Sequence, residues 1–109
     1  MATAYKVLGQ SNPSATTATT LYTVPSATEA VVSTIAICNQ AGGSGTYRLA
    51  IRKAGAVLAA EQYLVYGATV AANDSILLTL GVTLATTDVV TVYSSSATMS
   101  FSLFGSEIS

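Results

Sequence analysis

Thr46-Tyr47-Arg48-Leu49-Ala50-Ile51-Arg52-Lys53 alternates residue by residue. In an extended chain, Tyr47, Leu49 and Ile51 fall on one side and Arg48, Ala50 and Arg52 on the other. A repeat of two marks a half-buried β-strand, whereas a helix repeats every 3.6 residues. Upstream, Gln40–Gly45 holds Gly42-Gly43-Ser44-Gly45, read as a hairpin or loop. Before it runs Glu29–Asn39, β-branched at Val31, Val32, Thr34, Ile35 and Ile37. Such side chains suit a pleated surface, and apolar character on both faces predicts a central strand buried on each side.

The same punctuation extends to both ends. Ala4–Gly9 and Thr19–Val24 read as strands separated by a loop over Gln10–Ala18. Pro13-Ser14-Ala15-Thr16 recurs as Pro25-Ser26-Ala27-Thr28, which predicts one turn solution used twice. After Lys53, Ala56–Ala60 is the one plausible helical turn. It is followed by a strand over Glu61–Gly67, with Tyr63 and Val65 opposite Leu64 and Tyr66. Ser75–Leu80 is a strand, Gly81–Thr87 a connection, Asp88–Tyr93 a strand, and Ala97–Gly105 the last strand, with Met99, Phe101 and Leu103 on one face. About eight strands at this spacing predict one all-β domain over residues 1–109. The expected architecture is an antiparallel β-sandwich, immunoglobulin-like or jelly-roll.

Composition bounds the function. Of 109 residues, 50% are hydrophobic and 8% charged, where an ordinary soluble domain carries about 25% charged. A surface this poor in charge is expected to be covered in part by neighbouring chains. The net charge of -1 argues against nucleic acid, whose binding needs a basic face. No apolar run reaches transmembrane length, the opening residues lack a signal-peptide pattern, and the strands are short for an outer-membrane barrel. No membrane partner is therefore expected.

There is no His, and Cys38 is the sole cysteine. That excludes the Ser–His–Asp and Cys–His arrangements, the usual zinc sites and an internal disulfide. Cys38 reads as a small buried apolar side chain. Asp74 and Asp88 fall in predicted turns, where Asp bonds to backbone. A calcium site at Asn73 and Asp74 has no loop motif behind it. The glycine loop lacks the Lys-Ser/Thr that a phosphate cradle needs. No catalytic residue, metal or cofactor is expected, and the chain is not read as an enzyme.

Arg48, Arg52 and Lys53 form the one cationic cluster. Read plainly, it is a solvated strand face with edge protection. The sharper reading is a partner interface, since Arg holds carboxylates bidentately. Gly42 and Gly43 join that candidate interface, because glycines let a loop lie close to a partner's backbone. Tyr47, Tyr63, Tyr66 and Tyr93 lie in predicted strands, where core packing and subunit contact are the two readings.

Several segments resemble small virion proteins of tailed bacteriophages, including cyanophages. They include Ala4-Tyr5-Lys6-Val7-Leu8-Gly9-Gln10, Thr20-Leu21-Tyr22-Thr23-Val24-Pro25, Val32-Ser33-Thr34-Ile35 with Cys38-Asn39, and Tyr47-Arg48-Leu49-Ala50-Ile51-Arg52. Ala72-Asn73-Asp74, Leu80-Gly81-Val82-Thr83-Leu84, Asp88-Val89-Val90-Thr91-Val92-Tyr93 and Phe104-Gly105-Ser106-Glu107-Ile108-Ser109 continue the likeness. The resemblance implies a head decoration, or cement, protein that binds the major capsid protein lattice on the virion surface after assembly in the host cytoplasm. It also implies a homo-oligomer, a trimer in many such proteins. A tail, baseplate or fibre component and a glycan-binding module using Tyr66 or Tyr93 are the alternatives.

Overall fold

In a computed structural model, residues 2–109 are described and form eight strands. These are β1 (Thr3–Ser11), β2 (Thr19–Thr23), β3 (Glu29–Asn39), β4 (Gly45–Arg52), β5 (Tyr63–Val70), β6 (Ser75–Leu84), β7 (Val89–Ser94) and β8 (Met99–Ile108). Two antiparallel sheets have the orders β1-β8-β3-β6, here sheet A, and β2-β7-β4-β5, here sheet B. The order has a simple origin. The chain runs out along β1 to β4 and returns along β5 to β8, pairing β4 with β5, β3 with β6, β2 with β7 and β1 with β8. Rolling that double ribbon brings β3 against β8 and β4 against β7, which closes each sheet. This is the jelly-roll form of the β-sandwich, so the choice left open by the sequence falls to that topology.

The predicted strand Glu29–Asn39 is β3 residue for residue, and it is central, flanked by β8 and β6, but it is buried on its inner side only: Glu29 and Ser33 are exposed, because no third layer covers sheet A. Its inner face supplies Ala30, Val32, Ile35 and Ile37 to the core. Met99, Phe101 and Leu103 of β8 lie beside them, and Tyr47, Leu49, Val90 and Val92 meet them from sheet B. Tyr47 and Phe101 pack edge-to-face across the interior, 6.2 Å between centroids. Each such fully buried side chain removes about 1.5–3 kcal/mol worth of apolar surface from water.

Several expectations need correction. The glycine segment after β3 is not a hairpin, because β3 and β4 lie in different sheets and the loop carries the chain between them. β6 continues through Gly81 to Leu84, its pairing with β3 resuming at Val82 after a register shift. The helical turn expected over Ala56–Ala60 is absent; short 3-10 turns occupy Lys53–Gly55 and Ala60–Gln62 instead. Tyr63 lies on the face of Tyr66, not of Val65. Leu49 pairs with Val65 and Ala50 with Tyr63, so Leu64 is an extra residue that reverses the alternation. Gly67, at φ 80°, makes a second irregularity that only glycine adopts without strain. The two Pro-Ser-Ala-Thr segments do not turn alike: the left-handed residue is Thr16 in the first and Ala27 in the second, one position earlier. Cys38 is only half-buried and alternates with core residues on the outer face of β3.

Asn39 fastens one end of the sandwich. Its side chain is buried and donates to the carbonyls of Gly43 (3.0 Å), Val70 (3.2 Å) and Ala71 (3.3 Å), while its oxygen accepts from the Ala41 N–H (3.1 Å). One amide therefore holds the β3–β4 and β5–β6 crossings together. Replacing it leaves buried polar groups without partners, each costing about 1–3 kcal/mol. Asn39→Leu is expected to lower the unfolding free energy by about 2–4 kcal/mol in a urea titration. Gly105→Ala is expected to destabilise comparably or more, because a Cβ there would overlap the Val31 carbonyl of the adjacent strand.

Candidate interaction surfaces

Each sheet has an outer face, and the two differ. On sheet A the outward residues line up across the strands in rows. One row is Tyr5, Ser106, Val31 and Thr83; the next is Val7, Phe104, Thr34 and Thr79; the third is Gln10, Ser102, Ala36 and Leu77. Ser100, Cys38 and Ser75 lie beyond the third row, and Thr3, Ile108 and Glu29 lie before the first. Glu29, at that end of the face, is the one charged residue in these rows. Tyr5 is 86% exposed and Leu77 66%, and a shallow, mainly apolar depression lies among Tyr5, Val7, Val31 and Phe104, with Lys6 also in its lining.

The outer face of sheet B holds the sequence-predicted cations. Register places Arg48 directly between Tyr66 of β5 and Tyr93 of β7. Its guanidinium carbon lies 4.2 Å from the centroid of each ring. Each such contact contributes about 0.5–1 kcal/mol at an exposed position. Tyr63 meets Tyr66 at right angles, 4.8 Å between centroids. Beside this pair, Leu58, Ala59 and Ala60 of the β4–β5 connection form the other wall of a groove.

Arg52 points the same way but is engaged differently. Its Nε donates to Thr91 Oγ1 at 3.1 Å and its Nη1 to the Ala56 carbonyl at 3.2 Å. It therefore braces the β4–β5 connection against the sheet. Asp88 does parallel work, one carboxylate oxygen accepting from the Ala54 N–H at 2.8 Å and the other from the Ala85 N–H at 2.9 Å. Asp74 accepts from the Ser75 N–H at 2.8 Å. Both carboxylates are thus engaged by turn backbone, as their positions implied. Lys53 is exposed beyond the end of β4, while Gly42 and Gly43 lie before its start with open space around them. The structure brings Arg48 and Arg52 to one face but does not gather the five candidate residues into one site. The flanking role of Tyr66 was not legible in the sequence, because the Arg48–Tyr66 register depends on the irregularity at Gly67.

The one salt bridge among the described residues lies elsewhere, at the β1–β2 flank. Lys6 Nζ is 2.6 Å from Glu107 Oε1, and the Tyr22 hydroxyl donates to Glu107 Oε2. Tyr22 belongs to sheet B and Glu107 to sheet A, so the bond ties the two sheets. Among the described residues no group of acidic, Cys or His side chains is arranged to hold a metal. No helix is long and apolar enough to cross a membrane. Comparison with protein-family models, with characterised proteins and with solved structures returns no match.

The Glu107 cluster has a pH signature. The bond from Lys6, then that from Tyr22, holds the Glu107 carboxyl below its ordinary value of 4.5. A carboxyl lowered on folding adds stability above its unfolded value, and that stability is lost as pH falls through the folded value. Tyr22 is shifted upward from 10.0, first by burial and then by Glu107. Its contribution is present below pH 10 and is lost as pH rises beyond it. Glu107→Gln is expected to lower Tm at neutral pH, to flatten its fall below pH 4.5 and to soften its fall above pH 10. Thermal melts across that range check all three.

Proposed function

We propose that this chain is a structural subunit of a bacteriophage particle, a decoration protein that seats on the outside of the head against the major capsid protein. The observation that carries the reading is the charge-poor outer face of sheet A, whose one charged residue in the strand rows, Glu29, lies at its end. Four strands about 4.8 Å apart and about 30 Å long give it a footprint of roughly 500 Å². That is comparable with one side of a standard protein interface, about 800 Å² of accessible surface. Depletion of charge at the centre of a patch is a compositional mark of an interface core. The resemblance of the sequence segments to small virion proteins supplies the particle, and the jelly-roll topology is one that viral capsid domains use.

The mechanism is avidity. A modest contact repeated by capsid symmetry holds a lattice of subunits far more tightly than any single contact does. The subunit works as a homo-oligomer, a trimer on the family likeness, bridging neighbouring capsomers without catalysis. A charge placed on the face, midway along its edge strand β6, tests the reading. Thr79 is exposed there, so Thr79→Glu should alter stability by no more than about 0.5 kcal/mol. It is expected to abolish attachment to heads in a sedimentation assay while leaving Tm unchanged. Quantitative mass spectrometry of purified particles should find many copies, in fixed proportion to the major capsid protein and present on tailless heads. A few copies confined to tails would overturn the reading.

A further inference from the structure

Arg48 differs from the other cationic groups in what its nitrogens do. Lys6 is paired with Glu107, and Arg52 is spent on Thr91 and the backbone of its own loop. Among the described residues, no oxygen accepts a hydrogen bond from the Arg48 guanidinium, and no carboxylate pairs with it. A guanidinium carries five N–H donors in its own plane and nothing else that bonds. The rings of Tyr66 and Tyr93 flank it on both sides, which leaves the in-plane donor edge as the open direction. The side chain is thereby held in place, and much of the rotamer entropy of a free arginine is already lost.

We infer that Arg48, clamped by Tyr66 and Tyr93, is a receptor for a carboxylate, and that the carboxylate is an Asp or Glu side chain of a partner protein. Fork geometry selects a planar two-oxygen acceptor. A single cation matches a single negative charge, whereas the nearest spare cation, Lys53, lies beyond the far end of β4. None of the chain's own acids pairs with it: Asp74 and Asp88 are bonded to turn backbone, Glu107 to Lys6 and Tyr22, Glu29 lies on sheet A, and Glu61, in the β4–β5 connection, forms no salt bridge with Arg48. The adjoining groove of Leu58, Ala59, Ala60, Tyr63 and Tyr66 offers apolar walls and few hydroxyl partners. That suits aliphatic residues beside an acidic one better than an acidic sugar. Arg and Tyr are also the residue types that dominate binding energy at protein interfaces. The site is on the opposite side of the sandwich from the outer face of sheet A, so it addresses a second contact and does not rest on the capsid reading.

The test uses the isolated full chain. Nitrogen-15 NMR titration is run with the blocked pentapeptide alanyl-leucyl-glutamyl-leucyl-alanine, with its glutamine counterpart, and with an oligogalacturonate. The glutamyl peptide is expected to shift the Arg48 Nε–H and the Tyr66 backbone amide resonances saturably, and the glutamine peptide to leave them in place. Arg48→Lys keeps the charge but loses the fork, and should weaken binding at least about tenfold. Tyr66→Leu should weaken it too, by freeing the guanidinium. Lys53→Ala, away from the site, should bind as the parent does. Equal response to both peptides, no response, or undiminished binding by Arg48→Lys overturns the assignment. A response to the oligogalacturonate alone would make this an acidic-glycan site and overturn the protein partner.

Discussion

Closure of the rolled ribbon is the constraint on which everything else depends. Pairing of β3 with β8 runs from Glu29–Ile108 to Asn39–Met99 and joins the last strand of the chain to a strand of its first half. Without it, β1–β8 and β3–β6 would be two isolated ribbons, each too narrow to bury an apolar face. With it, Ile35, Ile37, Phe101 and Leu103 become one surface, and sheet B with Tyr47, Leu49 and Val92 has something to pack against. The closure is tight: Gly105 approaches the Val31 carbonyl so closely that no side chain fits between them.

A sandwich made this way must present two outer faces to its surroundings, and here each has its own chemistry. Sheet A shows Ser, Thr and Ala interspersed with Tyr5, Val7, Phe104 and Leu77. Such a face costs little to desolvate, because its one charged residue in the strand rows, Glu29, lies at the end, where it can keep its hydration. Sheet B carries tyrosine rings and guanidinium groups. Desolvating an arginine is unfavourable unless its donors find acceptors, so that face is selective where sheet A is permissive. The two outer faces of one small sandwich are thus opposite in character.

Arg48 and Arg52 show how little sequence spacing says about role. They are two residues of one alternating strand, pointing the same way. The difference lies in their cross-strand neighbours. Arg48 is flanked by Tyr66 and Tyr93, which stack but accept no hydrogen bond from it. Arg52 lies near the hydroxyl of Thr91 and the folded-back carbonyl of Ala56, which do accept. The first is left with its donors open, and the second is consumed by the fold.

Period-two alternation in Thr46–Lys53, the β-branched run Glu29–Asn39 and the glycine-marked breaks pointed by themselves to an all-β sandwich, with Tyr47, Leu49 and Ile51 on one strand face and Met99, Phe101 and Leu103 on another. Those properties are local: a pleated strand with one face in water must alternate, and the pattern is written in consecutive residues. Composition alone likewise showed that charge is scarce. The tertiary structure decided what depends on which strand lies beside which. That covers the jelly-roll order, the passage of the glycine loop between sheets, and the extension of β6 through Gly81. It also covers the gathering of uncharged residues onto one face, and the place of Tyr63 beside Tyr66. The physical reason is that register across strands, and the single-residue bulges that reset it, arise from packing between distant segments. One extra residue at Leu64 turns a tyrosine from the core side to the outer face, and no alternation read along the chain reports it.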